Sequence, residues 1–257
     1  MAMIDYTVAD RMAVITLNRP EKRNALNPEL VQGLRDAFGK AAADAQVKVV
    51  ILRAQGEAFC AGADLAYLQQ LQKFSFEENL ADSRNLMQLY HFIYTLPKVV
   101  VAQVEGHALA GGSGLVTVCD FAFSVPEAKF GYTEVRIGFV PAIVSAFLVR
   151  KIGEARAKDL LLTGRLIAAS EAQALGMIFR VEPKEKIEAE VDRFARQLIR
   201  SASGESLAAT KKLIDQVQDK PLSEALEIAA RENAAARATA DCRRGIEAFL
   251  QKKDLNW

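Results

Sequence analysis

The sequence contains only three cysteines and two histidines among 257 residues. Cys60, Cys119 and Cys242 are odd in number and far apart, so they match neither a disulfide framework nor the paired spacing of a zinc site. His91 and His107 have no neighbouring ligand residues, which also argues against zinc. We therefore expect no metal and no disulfide, and the cysteine usage favours a reducing, cytoplasmic compartment.

The chain also lacks an excess of charge of one sign and any long hydrophobic run. Its formal net charge is +1 and the charged residues are interspersed, so the basic surface typical of nucleic-acid binding or of a polybasic membrane patch is missing. The first residues, Met1–Tyr6, include an acidic residue, unlike a secretion signal. No apolar run approaches the length of a membrane span. We expect no nucleic-acid partner and no membrane partner.

The chain is long enough for one large domain with an appendage. Short apolar runs alternate with amphipathic helical patterns up to Lys184, which predicts an α/β core. The expected strands are 12–17, 47–53, 98–104, 121–125 and 177–181. Beyond Lys184 only helical periodicity remains, interrupted at 201–204 and at Pro221. We therefore divide the chain into a core, residues 1–200, and a helical region, residues 201–257, expected to serve oligomerisation.

Polar residues at cap positions indicate where helices begin and end. Asn27 predicts a helix start, and Ser75 with Glu78 has capping-box spacing. A further helix is expected to begin at Ser170 as its N-cap and to stop at Gly176.

Two glycine-containing turns each follow a predicted strand and precede a predicted helix. The first spans residues 59–65 (FCAGADL) and the second spans residues 106–115 (GHALAGGSGL). Such turns expose backbone N–H groups at a helix start, where the helix dipole favours negative charge. If the two turns converge, their N–H groups form an oxyanion hole. The alternative is that the small residues only let a helix pack closely on a strand.

Nucleophile and phosphate motifs do not match the second turn. Gly111–Leu115 is similar to the nucleophile elbow G-x-S-x-G, but Leu115 stands where that motif needs glycine. Ser113 is therefore not expected to be a nucleophile. The spacings G-x-x-x-x-G-K-[ST] of a phosphate loop and G-x-G-x-x-G of a dinucleotide site are absent from this turn.

Four landmarks occur along the chain in a fixed order. They are Asn18–Pro20 with Asn24–Leu26, Phe59–Leu65, Gly106–Leu115 with Cys119–Asp120, and Phe130–Glu134. Together they resemble the crotonase (enoyl-CoA hydratase/isomerase) superfamily over nearly the whole chain. The resemblance implies an α/β fold, a crotonase-like spiral of ββα units with a C-terminal helical assembly region, and homotrimers that often pair into homohexamers. No such repeat is evident in the sequence itself.

The resemblance assigns the N–H groups of Ala63 and Gly111 to an oxyanion hole for the thioester carbonyl of an acyl-coenzyme A. It also implies substrate-binding positions along the coenzyme A arm or beside the hole: Arg23, Ala25, Ala61, Asp64, Leu65, Gly114, Phe249 and Lys252. Plain structural roles are the alternatives for some of them: Asp64 as a helix N-cap, Arg23 as a solvated loop residue, and Phe249 with Lys252 as an amphipathic helix end. Coenzyme A is then part of the substrate, and no separate cofactor is expected.

Glu134 matches a catalytic glutamate of the family's hydratases and isomerases. A carboxylate in a largely apolar pocket has a raised pKa, which suits proton transfer to or from a substrate carbon. The alternative is an ion pair with Arg136. Hydratases of the two-glutamate type carry a second glutamate three residues after the oxyanion glycine, where this chain has Gly114. One recognised carboxylate therefore remains.

The resulting hypothesis is a hydratase, or reverse dehydratase, of a 2-enoyl-CoA, branched chains included. Residues 135–145 favour it, because they resemble bacterial hydratase-type members associated with branched enoyl-CoA breakdown. The first alternative is an enoyl-CoA isomerase that shuttles a proton with Glu134 alone, which the missing second glutamate favours. The second alternative is a coenzyme A-binding scaffold with little catalysis.

Overall fold

The computed structural model describes residues 2–257, and within them the chain forms ten strands and eleven α-helices. The strands are β1 (Ile4–Ala9), β2 (Met12–Leu17), β3 (Val49–Ala54), β4 (Ala58–Cys60), β5 (Val99–Val104), β6 (His107–Leu109), β7 (Phe121–Ser124), β8 (Lys129–Gly131), β9 (Ile167–Ala168) and β10 (Arg180–Val181). The helices are α1 (Pro28–Ala43), α2 (Leu65–Leu71), α3 (Phe76–Thr95), α4 (Gly111–Val118), α5 (Ala142–Ile152), α6 (Glu154–Thr163), α7 (Ala169–Ala174), α8 (Lys184–Ser201), α9 (Gly204–Val217), α10 (Leu222–Ala236) and α11 (Ala240–Leu250).

The strands belong to two sheets. The larger has the order β1-β2-β3-β5-β7-β10 and the smaller has the order β4-β6-β8-β9. Pairs from β2 to β10 are parallel, as are those among β4, β6 and β8, while β1 and β9 pair antiparallel at the edges. Three successive segments each supply a strand to the larger sheet, the next strand to the smaller sheet, and then a helix: β3-β4-α2, β5-β6-α4 and β7-β8-α5. The predicted spiral of ββα units is confirmed.

The apolar strands form the centre of the core. All six residues of β5 are buried, so both faces of the larger sheet are covered at this strand, as parallel sheets require. Helix α8 packs against β3, β5 and β7. It does so through residues four positions apart on one face: Ile187, Val191, Ala195 and Ile199. The sheet thereby holds the loops that follow its strands in fixed positions.

Several helix boundaries form as the sequence predicts. The Asn27 side chain accepts a hydrogen bond from Leu30 N at 2.9 Å at the start of α1. At the start of α3, Ser75 and Glu78 form both bonds of a capping box. Gly176 follows the end of α7 with φ +81°, the left-handed conformation that favours glycine after a helix.

The predicted cap of α7 is wrong. The helix begins at Ala169, its N-cap is Ala168, and no side chain caps it, so Ser170 lies inside the first turn. The reason is that β9 ends at Ala168 and pairs there with β8. The extended backbone that an N-cap needs is therefore supplied one step earlier, by the strand itself.

The strand predicted over 177–181 is also largely wrong, since only Arg180–Val181 pairs with β7. The N–H groups of Met177 and Ile178 bond back to the Ala172 carbonyl and close a turn after α7. Five short or edge strands, β1, β4, β6, β8 and β9, were not predicted. β6 is three residues long and lies inside the glycine-rich turn, where its sequence gives no strand signal.

The segment after residue 201 is helical, as predicted. Helix α9 is tied to the core by Lys211, whose Nζ lies 2.7 Å from Asp120 Oδ2. Helices α10 and α11 expose large apolar side chains: Leu222, Leu226, Ile246, Phe249 and Leu250. A role in oligomerisation stays a prediction. Among residues 2–257, no helix is long and apolar enough to cross a membrane.

Candidate active site

The two glycine-containing turns meet at one place. Gly62 has φ +92°, and a Cβ added to it would lie 2.9 Å from the Ala110 Cβ and 3.8 Å from the Gly111 N. The turn after β4 and the start of α4 are therefore in direct contact. Convergence of the two turns, which an oxyanion hole requires, is confirmed.

The first turn is held by the loop before α1. Leu26 pairs with Ala63 in a parallel bridge, in which Leu26 N donates to Gly62 O at 2.7 Å and Asp64 N donates to Leu26 O at 2.8 Å. Both bonds flank Ala63 and leave its own N–H outside the bridge. The residue is exposed, so this N–H is available to a ligand.

The second turn presents the N–H of Gly111 in the same region. Ala110 has φ +48°, a conformation rare for a residue with a side chain, and its N–H donates to Gly131 O at 2.7 Å. Gly111 is the first residue of α4, so its N–H has no partner within the helix. Within residues 2–257, neither the Ala63 N–H nor the Gly111 N–H donates to a protein acceptor. Two unpaired donors side by side are what a developing oxyanion requires.

Small residues allow this close approach. A Cβ on Gly112 would lie 2.2 Å from the Cys60 carbonyl oxygen, so only glycine lets α4 contact β4. Close packing, the alternative explanation for the glycines, is thus also correct, and it serves to bring the two turns together.

Asn24 fastens the loop that carries this arrangement. It is fully buried with φ +53°, and its Oδ1 accepts from Arg19 N at 2.9 Å. Its Nδ2 donates to Gln55 O and to Ala58 O, both at 2.8 Å. One amide side chain therefore joins the loop to the end of β3 and the start of β4.

Ser113 is a structural residue, as the sequence predicts. Its Oγ is buried, donates to Ala108 O at 2.6 Å and accepts from Gly131 N at 3.1 Å. The hydroxyl links α4 to β6 and β8 and has no base beside it. It therefore lacks the arrangement of a nucleophile.

Glu134 begins a short 3-10 turn, Glu134–Ile137, shortly after β8. Its Oε2 is buried and has no hydrogen-bond partner among the described residues. Burial raises the pKa of the carboxyl above its usual range. Within residues 2–257 the side chain forms no salt bridge, so the alternative of an ion pair with Arg136 is wrong. A partly buried carboxyl with one unpaired oxygen is suited to receive and release a proton.

Tyr90 and Val144 occupy the space beside Gly114. A Cβ added at position 114 would lie 2.6 Å from Val144 Cγ1, 2.8 Å from Tyr90 Cε2 and 2.9 Å from Tyr90 Oη. Tyr90 is fully buried, and its hydroxyl donates to Gly111 O at 2.6 Å. Glycine at position 114 is therefore a packing requirement of this structure.

Residues 7–257 match the family model described as enoyl-CoA hydratase/isomerase. The chain belongs to this family. It is 46% identical over 242 residues to the "Putative enoyl-CoA hydratase" of Thermus thermophilus, with 94% of this chain and 95% of that protein covered. The "Crotonyl-CoA hydratase" of Syntrophomonas wolfei is 32% identical over 250 residues, with 96% and 95% covered. The crystal structure of an enoyl-CoA hydratase from Mycobacterium smegmatis has a TM-score of 0.94 at 28% identity, covering 100% of this chain and 99% of the other.

Membership makes the chain an enzyme of the hydratase/isomerase family and implies an acyl-CoA thioester as its substrate. Ala110 N donates to Gly131 O, three residues before Glu134, so the turn that carries Gly111 is bonded to the segment that leads into Glu134. Their catalytic roles stay predictions.

Asp64 takes the structural role considered from the sequence. Its side chain accepts from Ala66 N at 2.8 Å and from Tyr67 N at 3.4 Å, capping α2, and its Oδ2 lies 2.7 Å from Arg19 Nη1. Burial alone would raise the pKa of this carboxyl, but the bonds from Arg19 and the backbone bring it below its usual value. The cap is confirmed, and contact with substrate stays a prediction.

The other predicted binding residues differ in how near they lie to the two turns. Arg23 is exposed and its carbonyl accepts from Ala61 N at 3.0 Å, so these two positions are adjacent, and Ala25 is buried beside them. Leu65 is 78% exposed at the start of α2. Phe249 and Lys252 stand apart at the exposed end of α11. The structure thus joins the segments that carry Arg23, Ala25, Ala61 and Leu65, while within residues 2–257 no hydrogen bond joins Phe249 or Lys252 to either glycine-containing turn.

Sequence reasoning missed Arg19, Asn24 and Tyr90 as residues that hold the site. Arg19 and Asn24 belong to the first landmark, so their position was noted but their bonds were not. Tyr90 lies on the buried face of α3 with Leu89 and Ile93, and a tyrosine in such an apolar stripe indicates packing. Within residues 2–257 no cluster of three or more His, Cys, Asp or Glu side chains could hold a metal ion.

Proposed function

We propose that this enzyme adds water across the C2–C3 double bond of a 2-enoyl-CoA, or removes it in reverse, with branched acyl chains among its substrates. The observation that carries the proposal is the buried, unpaired Oε2 of Glu134, on a segment that is bonded through Gly131 to the turn presenting the free Gly111 N–H. The name of the Syntrophomonas wolfei relative, a crotonyl-CoA hydratase, supports a 2-enoyl thioester as the substrate class.

In the proposed reaction each group has one task. The N–H groups of Ala63 and Gly111 bind the thioester oxygen, which gains negative charge when the water oxygen bonds to C3. Glu134 takes one proton from that water as it attacks and then gives the proton to C2, which restores the thioester carbonyl and the free carboxylate. The product has gained one water and nothing else. Each fixed backbone donor is worth ~10²–10³ in rate, because it needs no reorganisation during the reaction.

An isomerase is the second candidate, and the absence of a carboxylate at Gly114 favours it. Moving a double bond between the 3 and 2 positions requires one base to take a proton from C2 and return it to C4. Glu134 alone suffices for this transfer. The same oxyanion hole would stabilise the dienolate formed between the two proton transfers.

The remaining binding roles belong to the same proposal. Arg23 and Ala25 contact the coenzyme A arm, and Asp64 and Leu65 flank the oxyanion hole. Ala61 and Gly114 also line the substrate site, and Phe249 and Lys252 bind the nucleotide end across a subunit boundary. Exposed apolar side chains on α10 and α11 support assembly into a trimer or hexamer, since such faces are usually buried between subunits.

A panel of straight and branched 2-enoyl-CoA and 3-enoyl-CoA thioesters, with products separated by mass, tests the proposal. We expect 2-enoyl thioesters to gain the mass of one water. Conversion of 3-enoyl to 2-enoyl thioesters without a mass change would establish the isomerase instead. The matched saturated acyl-CoA controls for binding alone. Binding of all thioesters with no turnover of any would contradict both candidates.

A further inference from the structure

Tyr90 is a buried polar residue, bonded to Gly111, that the proposed chemistry does not use. It lies in α3 with no exposed surface, and its hydroxyl donates to the Gly111 carbonyl at 2.6 Å. Burial, with smaller contributions from nearby groups that include Glu134, raises the pKa of the phenol well above its ordinary value. A neutral phenol hydroxyl donates one hydrogen bond, and here that bond goes to the Gly111 carbonyl.

The acceptor of this bond is the residue that supplies one of the two oxyanion donors. Gly111 has no side chain to restrict its rotation, and it follows Ala110, whose φ of +48° is unfavourable for alanine. Fixing the Gly111 carbonyl restricts rotation about the bonds on both sides of its Cα. The direction of its N–H is thereby restricted as well.

The same tyrosine covers the position of the missing second glutamate. A Cβ at position 114 would overlap Tyr90 Cε2, Tyr90 Oη and Val144 Cγ1 at 2.6–2.9 Å. The Tyr90 ring is also held from the other side by Phe147, with ring centroids 6.4 Å apart at 71°. In this packing a side chain at position 114 and the Tyr90 ring exclude each other.

We propose that Tyr90 is a positioning residue that aims the Gly111 N–H at the thioester oxygen, and that its side chain takes the space in which a carboxylate at position 114 would stand. Tyr90 does not touch the substrate, since it is fully buried. It acts through Gly111. The inference rests on the proposed acyl-thioester chemistry.

The first test compares Tyr90→Phe with Tyr94→Phe in the assembled enzyme. Tyr94 lies one turn further along α3, and its hydroxyl bonds to Gln218 at 3.1 Å, away from the hole. The probe is cinnamoyl-CoA, whose ultraviolet absorption shifts to longer wavelength when its carbonyl is polarised. We expect the bound probe in Tyr90→Phe to lose much of that shift, while Tyr94→Phe keeps it.

Turnover provides the second readout. We expect Tyr90→Phe to lower kcat about 10-fold with little change in KM, less than the ~10²–10³ expected for losing a donor outright. A purely structural role would lower thermal stability and leave the absorption shift and kcat unchanged. An unchanged absorption shift together with unchanged kcat in Tyr90→Phe would overturn the positioning role. The absorption measurement needs binding only, so it remains decisive if no hydration is found and the proposed function fails.

A double-mutant cycle tests the shared space and does not depend on Tyr90→Phe folding well. Gly114→Ala should destabilise the wild-type background, because the added Cβ overlaps the Tyr90 ring. In a Tyr90→Leu background the same substitution should cost clearly less, since two of the three close contacts are gone. Additive effects of Gly114→Ala and Tyr90→Leu on urea unfolding would overturn the claim that the two positions compete.

Discussion

Glu134→Gln should change stability and catalysis in opposite directions. The substitution keeps the size of the side chain and removes its charge. Wild-type Oε2 is buried without a partner, so the ionised carboxylate lies there without a compensating hydrogen bond, at a cost of about 1–3 kcal/mol. Glutamine leaves a polar atom at this place but removes the charge. Glu134 as a whole is only half-buried, so we expect a gain near the low end, about 1 kcal/mol, or roughly 2–4 °C in Tm for a chain of this size.

The gain should depend on pH in a defined way. Burial raises the pKa of Glu134 in the folded protein above its value in the unfolded chain. Between those two pKa values the folded state binds more protons, so wild-type stability falls as pH rises through this window. Glutamine does not titrate. The stability difference between the variant and wild type should therefore be near zero at acidic pH, below the unfolded pKa of ~4.3, and largest at neutral pH and above.

Thermal unfolding at fixed protein concentration across pH 4–8 measures this difference, with turnover assayed in parallel. We expect kcat to fall by ~10²–10⁴, as for loss of a general acid–base group, while acyl-CoA affinity is retained. Glu127→Gln, which removes an exposed carboxylate, is the matched control and should change neither. Wild-type turnover in Glu134→Gln would refute the catalytic role of Glu134. A lower stability of this variant than wild type at pH 8 would refute the argument that the Glu134 charge is destabilising in the folded protein.

Two further predictions concern the hydrogen bonds by which Asn24 holds the loop before α1, and the oligomeric state. Asn24→Ala should lower the free energy of unfolding by about 3–4 kcal/mol in urea, because three hydrogen bonds of ~1 kcal/mol each are lost and alanine is strained at positive φ. The control is Asn27→Ala, which removes one helix cap and should cost only about 1 kcal/mol. Light scattering at micromolar concentration should find a trimer or hexamer, and Leu226→Asp, on the exposed face of α10, should shift it toward smaller species. A wild-type monomer would contradict the role of the helical region in assembly. Equal losses of unfolding free energy in Asn24→Ala and Asn27→Ala would contradict the special role of Asn24 in holding the loop.

Local sequence alone determines much of this protein. The helix starts at Asn27 and at Ser75 form as predicted, because the bonds of a cap join residues within three positions of each other. The strands Met12–Leu17 and Val99–Val104 also form where their runs of apolar residues predict them. Such features depend on neighbours in the chain, so any fold that buries these strands retains them.

The order of the four landmarks carries a family resemblance, and that resemblance implied the ββα spiral. Periodicity could not reveal the spiral, because the units repeat in strand order and each has a different sequence. Local signals failed where a tertiary partner decides the outcome. Ser170 does not cap α7, because β8 holds Ala168 in the extended conformation. The region after Met177 forms a turn before its strand, because Ala172 accepts its N–H groups.

At the candidate site, the difference between what the sequence indicates and what tertiary contacts decide is clearest. Residue types predicted two backbone turns and one carboxylate, since small residues and a glutamate in an apolar stretch are visible in the sequence. Only the tertiary structure decided that the turns meet at Gly62 and Gly111, and that Oε2 of Glu134 is buried without a partner. It alone also shows that Tyr90 fills the space beside Gly114. These are contacts between side chains and backbone atoms up to dozens of residues apart, and their distances depend on how the two sheets and the helices pack together.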